Sequence, residues 1–164
     1  MLIVLNEAEI KLANYLGTSR YNSCRKNNVI DKQRGYQDKL QIDIEGVGSE
    51  IAFCKLSNTY PDLEIKPTGQ TSDIGDALFN GMKVDVKSTR YENGRLHCSL
   101  WKNNEPDLYV LMITTEYPAI RCAGFAWAEH LKMPENIRDL GRGELYLMDQ
   151  KDLQPIEQLL QYRG

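Results

Sequence analysis

The chain has 164 residues, of which 41% are hydrophobic and 26% are charged. This composition predicts one folded domain with a substantial core and excludes an intrinsically disordered protein. No apolar run reaches the roughly 18 residues that suggest a membrane span. The apolar start at residues 1–5 is too short for a signal peptide and lacks its basic residues. We therefore expect a cytoplasmic protein without a membrane partner.

The net charge of −3 does not suggest a nucleic-acid-binding protein, although a local basic surface is sufficient for one. The sequence contains no Gly-rich phosphate loop, no Gly-x-Ser-x-Gly and no His-Glu-x-x-His, which excludes the usual nucleotide-cofactor enzymes, serine hydrolases and zinc proteases. Its four cysteines are widely spaced, with no Cys-x-x-Cys and no close histidine pair. Reduced, buried thiols are thus expected, rather than disulfides or zinc. These cysteines are Cys24, Cys54, Cys98 and Cys122.

The first apolar run is expected to form a strand or a packing tail, and a helix follows it. Asn6 and Glu9 have the spacing of a capping box, in which each residue caps a backbone N–H of the other. An apolar stripe runs from Ile10 to Leu16. Gly17 is a natural C′ residue, so we expect this helix to end there.

Residues 18–40 form a basic stretch with two interleaved tyrosines. One interpretation is a solvated, partly helical connection whose charges do nothing specific. The other is a surface that contacts phosphates, with tyrosines available for stacking on bases. The sequence leaves both interpretations open. The basic residues are Arg20, Arg25, Lys26, Lys32, Arg34 and Lys39, opposed only by Asp31 and Asp38.

A second helix is predicted over residues 42–58, ending before Tyr60-Pro61. Val47, Ile51 and Cys54 mark its buried side. Glu50 lies next to that side, so we expect its carboxylate at the edge of the buried face. Most helical glutamates are simply solvated, and it is the hairpin that follows which makes Glu50 a candidate ligand.

Asn80-Gly81 is the strongest hairpin signal in the chain, because both residues tolerate the positive φ of a type I′ turn. A two-residue loop would place Phe79 opposite Met82 and Asp76 opposite Asp85. Side chains alternate along a strand, so one face of the hairpin is wholly apolar and is predicted to be buried in the core. The other face carries Asp76, Leu78, Lys83, Asp85 and Lys87.

Two carboxylates directly opposite each other repel. The pairing of Asp76 with Asp85 therefore predicts a cation between them, with Lys87 on the same face. A longer loop or a bulge would break this register and bring Asp73 to the site instead.

The rest of the chain alternates between strands and short helices. Residues 108–114 form a continuous apolar run, typical of a strand that is buried on both faces. The overall pattern indicates an α/β domain with a mixed sheet. Further strands are predicted over residues 95–101, 119–126 and 144–148, a short helix over 127–132, and a last helix capped by Asp152.

Asp76 together with Asp85-Val86-Lys87, and Glu50 on the preceding helix, resembles the motif of the PD-(D/E)XK nuclease superfamily. Gly75 stands where that motif has proline. The resemblance covers roughly residues 43–115 and implies a restriction-endonuclease-like core, a mixed β-sheet flanked by helices. It predicts a single domain over 1–164, with an N-terminal helical and basic extension at 1–42 and a strand–helix completion at 116–164.

The resemblance implies a Mg²⁺- or Mn²⁺-dependent nuclease that hydrolyses phosphodiester bonds. DNA is favoured over RNA and endonuclease over exonuclease action, but the sequence decides neither. It implies that Asp76, Asp85 and the carbonyl of Val86 hold the ion, and that Glu50 completes the shell directly or through water. Lys87 would orient or activate the attacking water. Residues expected to contact nucleic acid are Arg20, Arg25, Lys26, Ser88, Arg90 and Lys102.

Two further questions stay open at this level. Duplex cutting is compatible with a homodimer, and the compact size fits an enzyme of a phage or mobile element. The alternative is a module that kept the nuclease fold, lost the chemistry and binds nucleic acid or a protein. The complete set of acids and lysine favours the enzyme, whereas the acidic balance of the chain favours the module.

Overall fold

The structure is a computed structural model that describes residues 1–26, 38–65, 75–100, 105–141 and 143–162. After a first short strand come two long helices, then five consecutive strands, and short helices and strands complete the described chain. The helices are α1 (Glu7–Lys26), α2 (Lys39–Ser57), α3 (Ala128–Leu131) and α4 (Ile156–Gln161). The strands are β1 (Leu2–Val4), β2 (Ala77–Phe79), β3 (Met82–Thr89), β4 (Leu96–Ser99), β5 (Leu108–Glu116), β6 (Ala119–Trp127), β7 (Ile137–Asp139) and β8 (Glu144–Met148).

The described strands form two sheets. The larger is mixed and has the order β1-β6-β5-β3-β2, with β3 parallel to β5 and the other pairs antiparallel. The smaller is antiparallel, with the order β4-β8-β7. The prediction of an α/β domain with a mixed sheet and flanking helices is therefore confirmed.

The larger sheet is covered on both faces, and β5 is buried throughout its first seven residues. One face packs with α1 and α2 around Val84, Val110 and Phe53. The other packs with β4 and α3 around Tyr109 and Leu96. The alternation of side chains along β5 therefore sends Val110 into the first apolar layer and Tyr109 into the second.

Helix α1 begins as predicted but ends later. Asn6 Oδ1 accepts a bond of 2.9 Å from the backbone N–H of Glu9, and Glu9 Oε2 accepts one of 2.7 Å from Asn6, which confirms the capping box. The predicted end at Gly17 is wrong, because the helix continues to Lys26. A Cβ at Gly17 would lie 2.7 Å from the Cα of Ile44. This glycine lets α1 and α2 approach closely; it does not end a helix.

The predicted range of α2 is nearly correct, whereas the predicted cap of the last helix is wrong. Helix α2 spans nearly the predicted range, and the side chain of Asp38 caps its first turn by accepting from Leu40 and Gln41. Asp152 does not cap the last helix. It ends a short 3-10 turn, and α4 begins only after Pro155.

The hairpin around Asn80-Gly81 has the predicted register, with Phe79 opposite Met82 and Ala77 opposite Val84. Both turn residues have the positive φ expected of this turn, 48° and 80°. The face of the hairpin that was predicted to be apolar lies in the core: Ala77, Phe79, Val84 and Val86 are buried and Met82 is partly buried.

Most of the cysteines lie in the core as thiols, as predicted. Cys54, Cys98 and Cys122 are buried, Cys24 is half-buried, and all four are free thiols. Within the described ranges no helix is both long and apolar enough to cross a membrane.

Candidate active site

Asp76 lies at the point where the hairpin leaves its regular ladder. The pairing of β2 with β3 stops at Ala77, so Asp76 is not directly opposite Asp85, and that part of the predicted register is wrong. Gly75 adopts a φ of 75° and forms an isolated bridge to Val84, while the N–H of Asp76 donates to the Val84 carbonyl at 2.9 Å. The chain therefore bulges here, as a strand can where one residue is extra.

The bulge does not remove Asp76 from the predicted site. Its Oδ2 accepts a hydrogen bond of 2.7 Å from the backbone N–H of Val86. Val86 is the middle residue of the Asp85-Val86-Lys87 tripeptide, so the carboxylate of Asp76 lies against the backbone of β3 beside Asp85. The two acids thus reach the same place on the sheet edge by a different route from a simple cross-strand pair.

Asp85 and Lys87 form an ion pair on one side of β3. The Asp85 side chain is only 4% exposed and that of Lys87 is 34% exposed. Burial opposes the charge of Lys87, yet Asp85 and then Asp76 outweigh it and raise the pKa of the ammonium. Lys87 is therefore held as a cation.

The burial of Asp85 is explained by the second apolar layer. In the parallel register of β3 and β5, Asp85 lies beside Tyr109, which is itself fully buried. Tyr109 packs in the same cluster as Cys98 of β4. The second sheet therefore covers a face that the hairpin pattern alone suggested would be polar and open.

Glu50 of α2 reaches the same region from the opposite layer. Its side chain is 14% exposed and accepts a bond of 2.8 Å from Nη1 of Arg20. Burial, followed by the negative charge of Asp76, raises the pKa of Glu50 to about 8 against the opposing effect of Arg20. Glu50 and Asp76 are therefore close enough to repel.

Arg20 has a role that the sequence did not reveal. Its guanidinium donates to Glu50, to the backbone carbonyl of Asp62 at 2.7 Å and to that of Glu64 at 3.3 Å. Burial opposes its charge, but Glu50, Asp62 and Asp76 together raise its pKa. The donors of Arg20 are directed at α2 and the segment that follows it, and its role as a phosphate contact stays a prediction.

Arg90 likewise has an internal partner. It donates to both carboxylate oxygens of Glu45, at 2.8 and 2.7 Å. Glu45 is buried and also accepts from Thr114 at 2.9 Å and Gln41 at 3.0 Å. Burial raises the pKa of Glu45, but these hydrogen bonds outweigh it, so the pKa is lowered. Arg90 therefore links α2 to the end of β3, and its contact with nucleic acid stays a prediction.

The other predicted contacts are only partly placed. Ser88 lies on β3, half-buried, beside Met112 of β5. Lys102 and Asp73 lie outside the described residues, as do the side chains of Arg25 and Lys26. The phosphate-contacting interpretation of residues 18–40 therefore stays a prediction, with α1 now extending through its first part.

The set of described side chains that could act as metal ligands is small. Over the described ranges, no three His, Cys, Asp or Glu side chains converge tightly enough to enclose an ion. Asp76 nevertheless accepts a hydrogen bond from the backbone of Val86, the residue that follows Asp85 on β3. Carboxylate and carbonyl oxygens suit Mg²⁺, which is commonly bound through one or two carboxylates with water completing its shell. These residues therefore fit that ion.

The chain belongs to a family described as "Family of unknown function (DUF5843)", whose model matches residues 1–134. The matched range contains Glu50, Asp76, Asp85 and Lys87, so the whole candidate site lies inside it. No curated protein and no solved structure matches the chain.

Proposed function

We propose that this chain is a Mg²⁺- or Mn²⁺-dependent nuclease with a restriction-endonuclease-like core, acting on DNA rather than RNA. One observation carries the proposal. Asp76, Asp85 and Lys87 meet at the β2–β3 edge, and Glu50 of the preceding helix interacts electrostatically with Asp76. Acids placed close enough to repel are expected where a cation is bound.

The oxygen donors of this cluster suit a divalent ion. Two aspartates and Glu50, whose pKa is raised to about 8, lie near the cations Arg20 and Lys87. Asp76 and Asp85 with the Val86 carbonyl would hold the ion, and Glu50 would complete the shell directly or through water. The bound ion would polarise the scissile phosphate and lower the pKa of a coordinated water.

Lys87 would act as a fixed positive charge. Asp85 and Asp76 raise its pKa, which favours the charged ammonium over a neutral general base. It can hydrogen-bond the attacking water and offset the negative charge that develops on the phosphate. Asp85 would then have two roles, because it both binds metal and keeps Lys87 charged.

A second candidate function is a module with the same fold and no chemistry. It is favoured by the engagement of Arg20 and Arg90 with internal glutamates, since this removes two cations from the surface of a chain whose net charge is −3. The presence of all the acids with Lys87 at one place favours the enzyme.

The test is incubation of purified protein with linear DNA, circular DNA and RNA, each with Mg²⁺, Mn²⁺ or EDTA. We expect divalent-dependent cleavage that falls by at least ~100-fold in Asp85→Asn and in Lys87→Ala. Lys11→Ala, at an exposed position on α1, is the matched control and should cut like the wild type.

Two results would contradict the proposal. Wild-type cleavage rates in folded Asp85→Asn or Lys87→Ala would show that the site is elsewhere. Absence of cleavage on every substrate with either ion would favour the inactive module.

A further inference from the structure

An open cavity of about 580 Å³ lies beside the proposed active site. Its volume is within the usual range for sites that hold small molecules. It is formed by the segment that follows α2 and by the outward-facing side of strand β2. The lining residues are Tyr60, Pro61, Asp62, Leu63, Glu64 and Leu78.

Arg20 connects this cavity to the acidic cluster. The same guanidinium that binds the carboxylate of Glu50 also donates to the carbonyls of Asp62 and Glu64. On the other wall, Leu78 lies two residues after Asp76. The Arg20 guanidinium therefore lies between the cavity and Glu50, and it hydrogen-bonds both the cavity wall and the helix that carries Glu50.

The lining of the cavity selects against a phosphate and in favour of an aromatic ring. Tyr60 is 76% exposed and Leu78 is 46% exposed, so both present apolar surface to solvent. The acidic residues of the lining, Asp62 and Glu64, would repel a phosphate. An uncharged base can stack on a tyrosine ring, and its amino groups can donate to carboxylates.

We propose that this cavity binds one unpaired base of the substrate strand, next to the phosphate that is cut. This inference rests on the proposed nuclease function and specifies its substrate class. A base inside a duplex is stacked and paired, so it cannot enter the cavity without being extruded. The preferred substrate is therefore nucleic acid with an unpaired base at the site: a single strand, a frayed end or a flap.

The experiment measures binding and cleavage separately. Binding is followed by fluorescence anisotropy with a labelled 20-nucleotide single strand and with a blunt duplex of the same sequence, with Ca²⁺ in place of Mg²⁺. The variants are Tyr60→Ala, which removes the ring, and Tyr60→Phe, which keeps it. Tyr15→Ala removes another highly exposed tyrosine, on α1, and is the control.

We expect Tyr60→Ala to weaken single-strand binding by roughly 5-fold to 150-fold, the range of stacking on one aromatic ring. Tyr60→Phe and Tyr15→Ala should bind within about twofold of the wild type, and weak duplex binding should not change. With Mg²⁺, the wild type should cut the single strand faster than the duplex, and Tyr60→Ala should lose that preference. Melting curves should coincide, because Tyr60 is exposed.

The two proposals fail in different ways. The base site is refuted if Tyr60→Ala binds the single strand as tightly as the wild type does. It is also refuted if the wild type binds the blunt duplex at least as tightly as it binds the single strand. Neither result contradicts the nuclease proposal. If the wild type cuts nothing with any ion but binds single strands in a Tyr60-dependent manner, the base site stands and the nuclease proposal fails.

Discussion

The raised pKa of Glu50 predicts an unusual pH dependence of stability. In the unfolded chain this carboxyl has its ordinary pKa of 4.5, whereas in the folded protein the pKa is about 8. Between these values the folded state holds a proton that the unfolded state lacks. The contribution of Glu50 to the free energy of unfolding is therefore largest below the unfolded pKa and is lost as the pH rises through the folded pKa.

The magnitude follows from the two pKa values. The free energy of unfolding should fall by up to about 1.4 kcal/mol per pH unit. Integrated from about pH 5 to about pH 7.5, the loss is about 3 kcal/mol, a large part of the stability of an ordinary domain. Glu50→Gln keeps the shape and cannot ionise, so this part of the pH dependence should disappear. The variant should become progressively more stable than the wild type as the pH rises.

The assay is urea unfolding at a series of pH values in EDTA, so that no divalent ion is bound. Glu7→Gln, at an exposed position on α1, is the matched control and should follow the wild type. Asp76→Asn should flatten the wild-type slope in part, because the charge of Asp76 is the second cause of the raised pKa. Parallel curves for the wild type and Glu50→Gln would refute the reasoning and show that Arg20 keeps Glu50 ionised in the folded state.

The helix contact and the buried ion pair give two further predictions. Gly17→Ala should destabilise the protein by about 1–3 kcal/mol, because the added methyl group overpacks the contact with Ile44. Gly46→Ala is the control: its Cβ would meet nothing within 4 Å, so it should stabilise the protein by up to about 1 kcal/mol through helix propensity. Equal melting temperatures of the two variants would contradict the close contact at Gly17. Arg90→Ala should lower the free energy of unfolding by about 1.5–3 kcal/mol, because buried Glu45 loses its charged donor. If that variant instead keeps its stability and shows a weaker salt dependence of nucleic-acid binding, Arg90 contacts phosphate and does not stabilise Glu45.

Features set by a few neighbouring residues could be predicted from the sequence. The Asn6–Glu9 capping box and the Asn80-Gly81 turn depend on local hydrogen bonding and on which residues tolerate positive φ, and the structure has both. The turn then placed Ala77 opposite Val84 by counting alone. The buried strand β5 followed from its continuous apolar run, since only a strand covered on both faces can bury such a run.

Features that depend on contacts between distant parts of the chain were decided only by the tertiary structure. A glycine such as Gly17 is typical of the position after a helix end, but this one lies inside α1, where Ile44 of α2 leaves no room for a Cβ atom. The continued helix carries Arg20 to Glu50, a partner 30 residues away that no local pattern indicates.

The candidate site shows the same division. Its acids, Asp76 and Asp85, were proposed from the sequence as a cross-strand pair, whereas the structure brings Asp76 to β3 through its hydrogen bond with the Val86 backbone. The bulge at Gly75 and the covering of Asp85 by the second sheet were not predicted, because each requires a partner from another strand. Local chemistry therefore determined which residues meet at the hairpin. Long-range packing determined their burial and protonation, because both depend on the desolvation and charges that distant segments supply.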